Sequence, residues 1–308
     1  MARGGTLRAM ITVEHLSKRY GSHPAVDDVS FTCEPGTVTG FLGPNGAGKS
    51  TTMRMICGLT PPTAGTATID GQPYRRLGNP GRRIGVLLDA SAQHAGRTGR
   101  EVLTLAALTM GVDKRRVDES LERVGLNSTA AKRRVKAYSL GMRQRLGLAY
   151  AMLGDPGILI LDEPANGLDP EGIYWMRGLL RNFADAGGTV LLSSHLLREV
   201  EAVADKLVVI GAGRIVAQGD KAELLAASGT VVRALDMAAL ETVLRRIGHA
   251  GTAATDGGVV VQADAETIGR AAADAGLVLL ELRPAGSGGL EQMFLTLTAG
   301  DSVKEAVR

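Results

Sequence analysis

The chain has 308 residues, of which 44% are hydrophobic, 22% charged and 3% aromatic, with a formal net charge of +3. That length accommodates one large domain and a smaller one with aliphatic cores. The charge is too small to argue for nucleic acid as a partner, Cys33 and Cys57 lack metal or redox spacing, and no apolar run reaches the ~18–20 residues that cross a bilayer.

Residues 1–10 lack the apolar core of a signal peptide and are expected to be disordered. Alternation over 13–20 predicts an antiparallel strand ending at Tyr20. A short apolar strand over 38–42 leads into Gly43, Pro44, Asn45, Gly46, Ala47, Gly48, Lys49, Ser50 and Thr51, which fit G-x-x-x-x-G-K-[ST] at every defined position. The glycines let a backbone nest wrap closely around a polyphosphate, and the helix expected over 51–59 adds its positive dipole end. Lys49 is placed to reach the β- and γ-phosphates, and Ser50 to offer its hydroxyl to Mg²⁺. A pattern this loose arises by chance in roughly one chain in a hundred of this length, so its surroundings decide.

After a strand over 84–88 the pattern turns helical, with helices expected over 98–110, 114–124 and 142–153. The stretch 89–100 is either an ordinary surface loop or a contact for another protein, and the basic run 132–136 reads as a solvated face. Ser139, just ahead of the third helix, is either a plain N-cap or part of an anion site. Residues 157–161 form a continuous apolar run suited to a buried parallel strand, and it ends in Asp162 and Glu163, where open α/β sheets place ligands. Packing gives no reason for adjacent carboxylates there. Asp162 is therefore assigned to Mg²⁺ and Glu163 to orienting an attacking water. A strand over 189–194 delivers His195 to the same edge, as a sensor of the γ-phosphate. Residues 206–210 and 214–218 read as a hairpin.

After about 228 the chain restarts. Strands are expected over 230–235, 250–255, 258–263 and 277–283, with helices over 237–247 and 265–275. Two β-α-β units of this kind predict a small ferredoxin-like α+β module. A last helix over 290–297 follows a glycine-serine linker at 286–289. The tail has no catalytic spacing and reads as a dimerisation, docking or regulatory module. The expected domains are 11–228 and 229–308.

The ordered set of Tyr20, the loop at 43–51, Ser139 to Arg145, Ile158 to Glu163, Gly167-Leu168-Asp169 and His195 resembles the nucleotide-binding subunit of an ABC transporter over about residues 11–220. Within that family it is most similar to the daunorubicin-resistance type of antibiotic exporter. The resemblance implies an α/β P-loop NTPase cassette with an antiparallel β-subdomain and a helical subdomain at about 89–153. It implies ATP and Mg²⁺ as cofactors, an integral-membrane permease as partner, and a place on the cytoplasmic face of the membrane. It also implies a head-to-tail dimer with itself or a related cassette, each ATP lying between one phosphate loop and the partner's signature loop. Ser139, Gly141 and Met142 would then serve the opposite site, Tyr20 would stack on adenine, and Asp169 would communicate across the dimer. The implied activity is ATP hydrolysis driving export of a small, drug- or antibiotic-like compound.

Two motifs depart from the family pattern. Leu140 and Met142 stand where the signature has glycine and glutamine, which removes that side-chain amide. Asp89 stands where a glutamine follows the strand at 84–88; it is a candidate metal ligand, since a further carboxylate near ATP is costly unless a cation offsets it. The rival reading is a non-transport ABC ATPase acting in translation or DNA repair, disfavoured by the single cassette and the lack of sustained heptads. A GTP-driven switch is weakened by the absence of an N-K-x-D element.

Overall fold

The computed structural model describes residues 10–126, 128–226, 229–253 and 257–284. The start expected to be disordered over 1–10, except Met10, and the helix expected over 290–297 with its linker lie outside them. One compact unit runs to Gln218 and a second begins at Gly219, ahead of the break at 228 read from the sequence.

The first unit opens with β1 (Ile11–Tyr20), β2 (His23–Cys33), β3 (Val38–Leu42), α1 (Lys49–Ile56) and β4 (Ala64–Ile69). Strands β2, β1 and β4 form an antiparallel sheet in that order, with Ile11 opposite both Cys33 and Ile69. There follow β5 (Ile84–Leu87), α2 (Gly99–Met110), α3 (Arg115–Arg123), α4 (Ser128–Lys132) and α5 (Leu140–Met152). The unit continues through β6 (Ile158–Asp162), α6 (Pro170–Asp185), β7 (Thr189–Ser193), α7 (Leu197–Val203), β8 (Lys206–Gly211) and β9 (Arg214–Asp220). Its main sheet has the order β5-β6-β7-β3-β8-β9, parallel from β5 to β8. Non-sequential neighbours require crossovers, and the helices supply them.

Burial explains the composition of the central strands. All five residues of β3 and of β7 are buried, so both faces of the sheet are covered and an apolar run replaces alternation. Helix α1 lies in the same core. Its Met53 and Ile56 pack among Ile11 and Leu16 of β1 and among Phe41, Ile160 and Leu191 of the parallel sheet. The Phe31 and Phe41 rings stack at 5.3 Å. The phosphate loop is thereby clamped at both ends, by a central strand before it and a helix with one face buried after it.

Helix boundaries follow their caps. Helix α1 starts at Lys49, earlier than expected, and Gly58, with φ of 65°, closes its end. Thr98 forms a capping box with Glu101 at the start of α2. Helix α5 starts at Leu140 because Ser139 accepts the Met142 N–H at 3.2 Å.

The second unit contains α8 (Lys221–Ala226), β10 (Thr230–Ala234), α9 (Met237–Arg246), β11 (Gly251–Ala253), β12 (Val259–Val261), α10 (Ala265–Asp274) and β13 (Leu279–Pro284). Its sheet is antiparallel with order β11-β12-β10-β13, the arrangement of a ferredoxin-like β-α-β-β-α-β module. Val232, Leu240, Leu244, Val261 and Ile268 form a separate core.

Candidate nucleotide site

The loop between β3 and α1 opens onto a cavity of about 200 Å³ lined by Pro44, Asn45, Gly46, Gly48, Lys49, Ser50 and Thr51, together with Ala25, Asp162 and Glu163. Gly48, the N-cap of α1, has φ of 105°, and a Cβ there would lie 2.5 Å from the Ala25 carbonyl oxygen. Only glycine satisfies both the dihedral and the close approach. Helix α1 has no side-chain cap and no acidic residue in its first turn, so its opening N–H groups face the cavity without an internal anion.

Lys49 is buried, at 7% exposure, and its Nζ donates to the carbonyls of Gly43 at 2.6 Å and Pro44 at 3.1 Å. Burial pushes its ammonium below the usual lysine range, opposed by the charges of Glu163 and Asp162. An anionic group in the cavity would supply the partner that two neutral carbonyls only approximate. Ser50 is exposed at the mouth of the loop.

Parallel pairing of β6 with β7 brings Asp162 opposite Ser193. The Ser193 hydroxyl donates a very short hydrogen bond to Asp162 Oδ1 and in turn accepts the Glu163 N–H at 3.1 Å. Glu163 itself has φ of 51°, a left-handed conformation unusual outside glycine. Its Oε2 lies 2.7 Å from Nδ1 of His195, which is half exposed just beyond β7. An ionised carboxylate only accepts, so this bond places the proton on Nδ1 and leaves Nε2 for a second partner. The phosphate loop, Asp162, Glu163 and His195 thus converge at one sheet edge.

The other candidate residues lie apart from that cavity's lining. Tyr20 is 55% exposed at the end of β1, with Lys18 Nζ 5.1 Å from its ring centre. Gly141 abuts the turn before α6: a Cβ on it would lie 2.7 Å from the Gly167 carbonyl. Met142 follows Ser139 in the first turn of α5, and Asp169 caps α6 by accepting the Gly172 N–H at 2.8 Å. Asp89 accepts both the N–H and the hydroxyl of Ser91, at 2.7 and 2.6 Å, and these bonds hold its carboxyl below the usual range. Its carboxylate is engaged in a local turn, and the structure does not bring it into the phosphate cavity.

Two participants were not singled out by sequence reasoning. Ser193 read only as part of a strand, yet it binds the Asp162 carboxylate and the Glu163 main-chain N–H. Gln144 fell within the run Ser139 to Arg145 with no role of its own, yet its Nε2 donates to the Glu163 carbonyl at 3.1 Å. A hydroxyl at the end of an apolar run, two residues before His195, was the available signal for the first; pattern carried none for the second.

The model of the ABC transporter family matches residues 26–166. The bacitracin transport ATP-binding protein BcrA of Bacillus licheniformis is 42% identical over 212 residues, 68% of this chain and 69% of that protein. The daunorubicin resistance ATP-binding protein DrrA3 of Streptomyces coeruleorubidus is 36% identical, across 96% of this chain and 98% of that protein. A solved structure of the ATP-binding subunit of an ABC transporter superposes with a TM-score of 0.64 at 30% identity, covering 70% of this chain and 91% of its own. With a phosphate loop, two strand-end carboxylates and a histidine at one edge of the matched fold, the chain belongs to the ABC transporter family as an ATP-binding, ATP-hydrolysing cassette.

Proposed function

We propose that this chain energises export of a small, drug- or antibiotic-like compound through a separate integral-membrane permease. The observation that carries the reading is the match to the daunorubicin resistance protein, which extends through both compact units rather than the cassette alone. Bacitracin transport in another relative points the same way. No comparable observation favours a factor for translation or DNA repair. Among the described residues no helix is long and apolar enough to cross a membrane, so in this reading the path belongs to the permease and the cassette works at its cytoplasmic face.

In the mechanism we infer, the loop amides and Lys49 hold the β- and γ-phosphates while Tyr20 stacks on the base. Ser50 and Asp162 would hold Mg²⁺, whose charge offsets that of the phosphates; one hydroxyl and one carboxylate beside phosphate oxygens suit the sparse protein donor set that ion takes. Glu163 orients the water and accepts its proton as the oxygen bonds to the γ-phosphorus and the bond to ADP breaks. His195, fixed through Nδ1 by Glu163, stabilises the transferred charge. Ser139, Gly141 and Met142 lie outside their own chain's phosphate cavity, which supports their use by a second copy, or by a related cassette, paired head to tail. Asp169 caps the helix that follows Gly167, the residue Gly141 abuts, which supports a role beside that loop.

Glu163→Gln tests the assignment. The variant is expected to bind ATP with unchanged affinity, to lose turnover by at least about a hundredfold, and to persist as an ATP-bound dimer on gel filtration. Retained hydrolysis would remove Glu163 from the mechanism, and a monomer under saturating ATP would remove the shared site.

A further inference from the structure

We propose that Gln144 is the positioning residue that holds the backbone of Glu163 in its hydrolytic conformation, and so ties the water-orienting carboxylate to the helix that begins at Ser139. The proposal rests on the role of Glu163 argued above. Glu163 departs from ordinary backbone geometry at φ of 51°, and neighbouring elements bind both of its main-chain polar groups. Its N–H donates to the Ser193 carbonyl at 3.2 Å and to the Ser193 hydroxyl at 3.1 Å. Its carbonyl accepts the Asn166 N–H at 3.2 Å within the turn, and Gln144 Nε2 at 3.1 Å from α5. A carbonyl only accepts, so the orientation of the Gln144 amide follows from the bond itself.

The cost of this arrangement identifies it. Gln144 is 5% exposed, and its Oε1 is buried without a hydrogen-bond partner. An unpaired buried acceptor is destabilising, and at a site chosen for packing a methionine or leucine would avoid it. What the amide adds is the bond to Glu163. Gln144 also lies in the second turn of the helix capped by Ser139, so a displacement of α5 by an anion at its N-terminus is delivered directly to the Glu163 backbone.

The test uses the full-length chain with magnesium and ATP. Gln144→Met keeps the volume but removes both the donor and the orphaned oxygen. Turnover is expected to fall about tenfold, the scale of one hydrogen bond, with ATP affinity within twofold and the thermal midpoint unchanged or raised. Gln144→Glu supplies a second readout. Burial raises the introduced carboxyl's pKa, and once protonated it donates where the ion repels the carbonyl. Its turnover relative to wild type should therefore recover as pH falls from 8.5 to 6. Wild-type turnover in Gln144→Met overturns the proposal. So does a loss accompanied by a lower midpoint or weaker ATP binding, which assigns Gln144 to packing, or a flat pH ratio in Gln144→Glu. Glu163→Gln separates the two layers: if it remains active the reading of Glu163 fails, whereas if it is inactive while Gln144→Met is active only this inference fails.

Discussion

Lys49 is an ammonium at 7% exposure whose hydrogen bonds go to two backbone carbonyls. Its folded pKa lies below the ordinary 10.5, so between those two values the unfolded chain binds more protons and stability rises with pH. The burial that lowers it is a penalty on the charged form. Replacing Lys49 with methionine removes the penalty together with the phosphate contact. Lys49→Met is expected to raise the thermal midpoint without nucleotide by a few degrees while weakening ATP binding about ten- to a hundredfold, the scale of a charge-assisted hydrogen bond. Scanning calorimetry and titration calorimetry measure the two separately. A lower midpoint would mean that the bonds to Gly43 and Pro44 outweigh desolvation, and the lysine would then be structural as well as functional.

Helix α5 shows how one element can carry two jobs. Ser139 caps it, which alone accounts for a serine there, yet a helix N-terminus is also an anion site. Substitution separates the roles. Ser139→Ala should cost about 1 kcal/mol of stability and also reduce turnover, whereas Ser139→Asp should restore the cap and the stability but keep turnover low, because a carboxylate repels phosphate. Recovery of turnover in Ser139→Asp would reduce Ser139 to a cap. The same helix marks the limit of what the sequence made legible. The phosphate loop, the strand ending in Asp162 and Glu163, and the strand delivering His195 were readable because glycine spacing and continuous apolar runs are local signals. The bond between Gln144 and Glu163 joins residues on different elements, and periodicity says nothing about such pairs. Asp89 illustrates the converse. A family position suggested a metal ligand, but aspartate two residues before serine is itself a turn-forming pattern, and the local bonds to Ser91 engage its carboxylate.

At the scale of the whole molecule, every residue of the phosphate cavity lies between Ala25 and Glu163, within the first compact unit, while the second has its own sheet and core. The alternation of strands and helices after residue 228 made that module legible as ferredoxin-like; its sheet order could not be read, because pairing between β10 and β12 depends on contacts made across α9 and β11. Separate cores imply separable consequences of mutation. Leu240 is fully buried among Val232, Leu244 and Ile268, so Leu240→Ala should cost the second unit ~2–5 kcal/mol through lost burial and a cavity. ATP affinity and turnover of the purified chain should stay within twofold, because the nucleotide cavity and that core are built from residues of different compact units. Hydrogen exchange resolved along the sequence would locate the loss of protection after residue 219, and titration calorimetry would follow the nucleotide. If ATP binding weakened in proportion to the lost protection, the module would be part of the catalytic apparatus. If binding and turnover held while drug export in cells collapsed, the module would act downstream of hydrolysis.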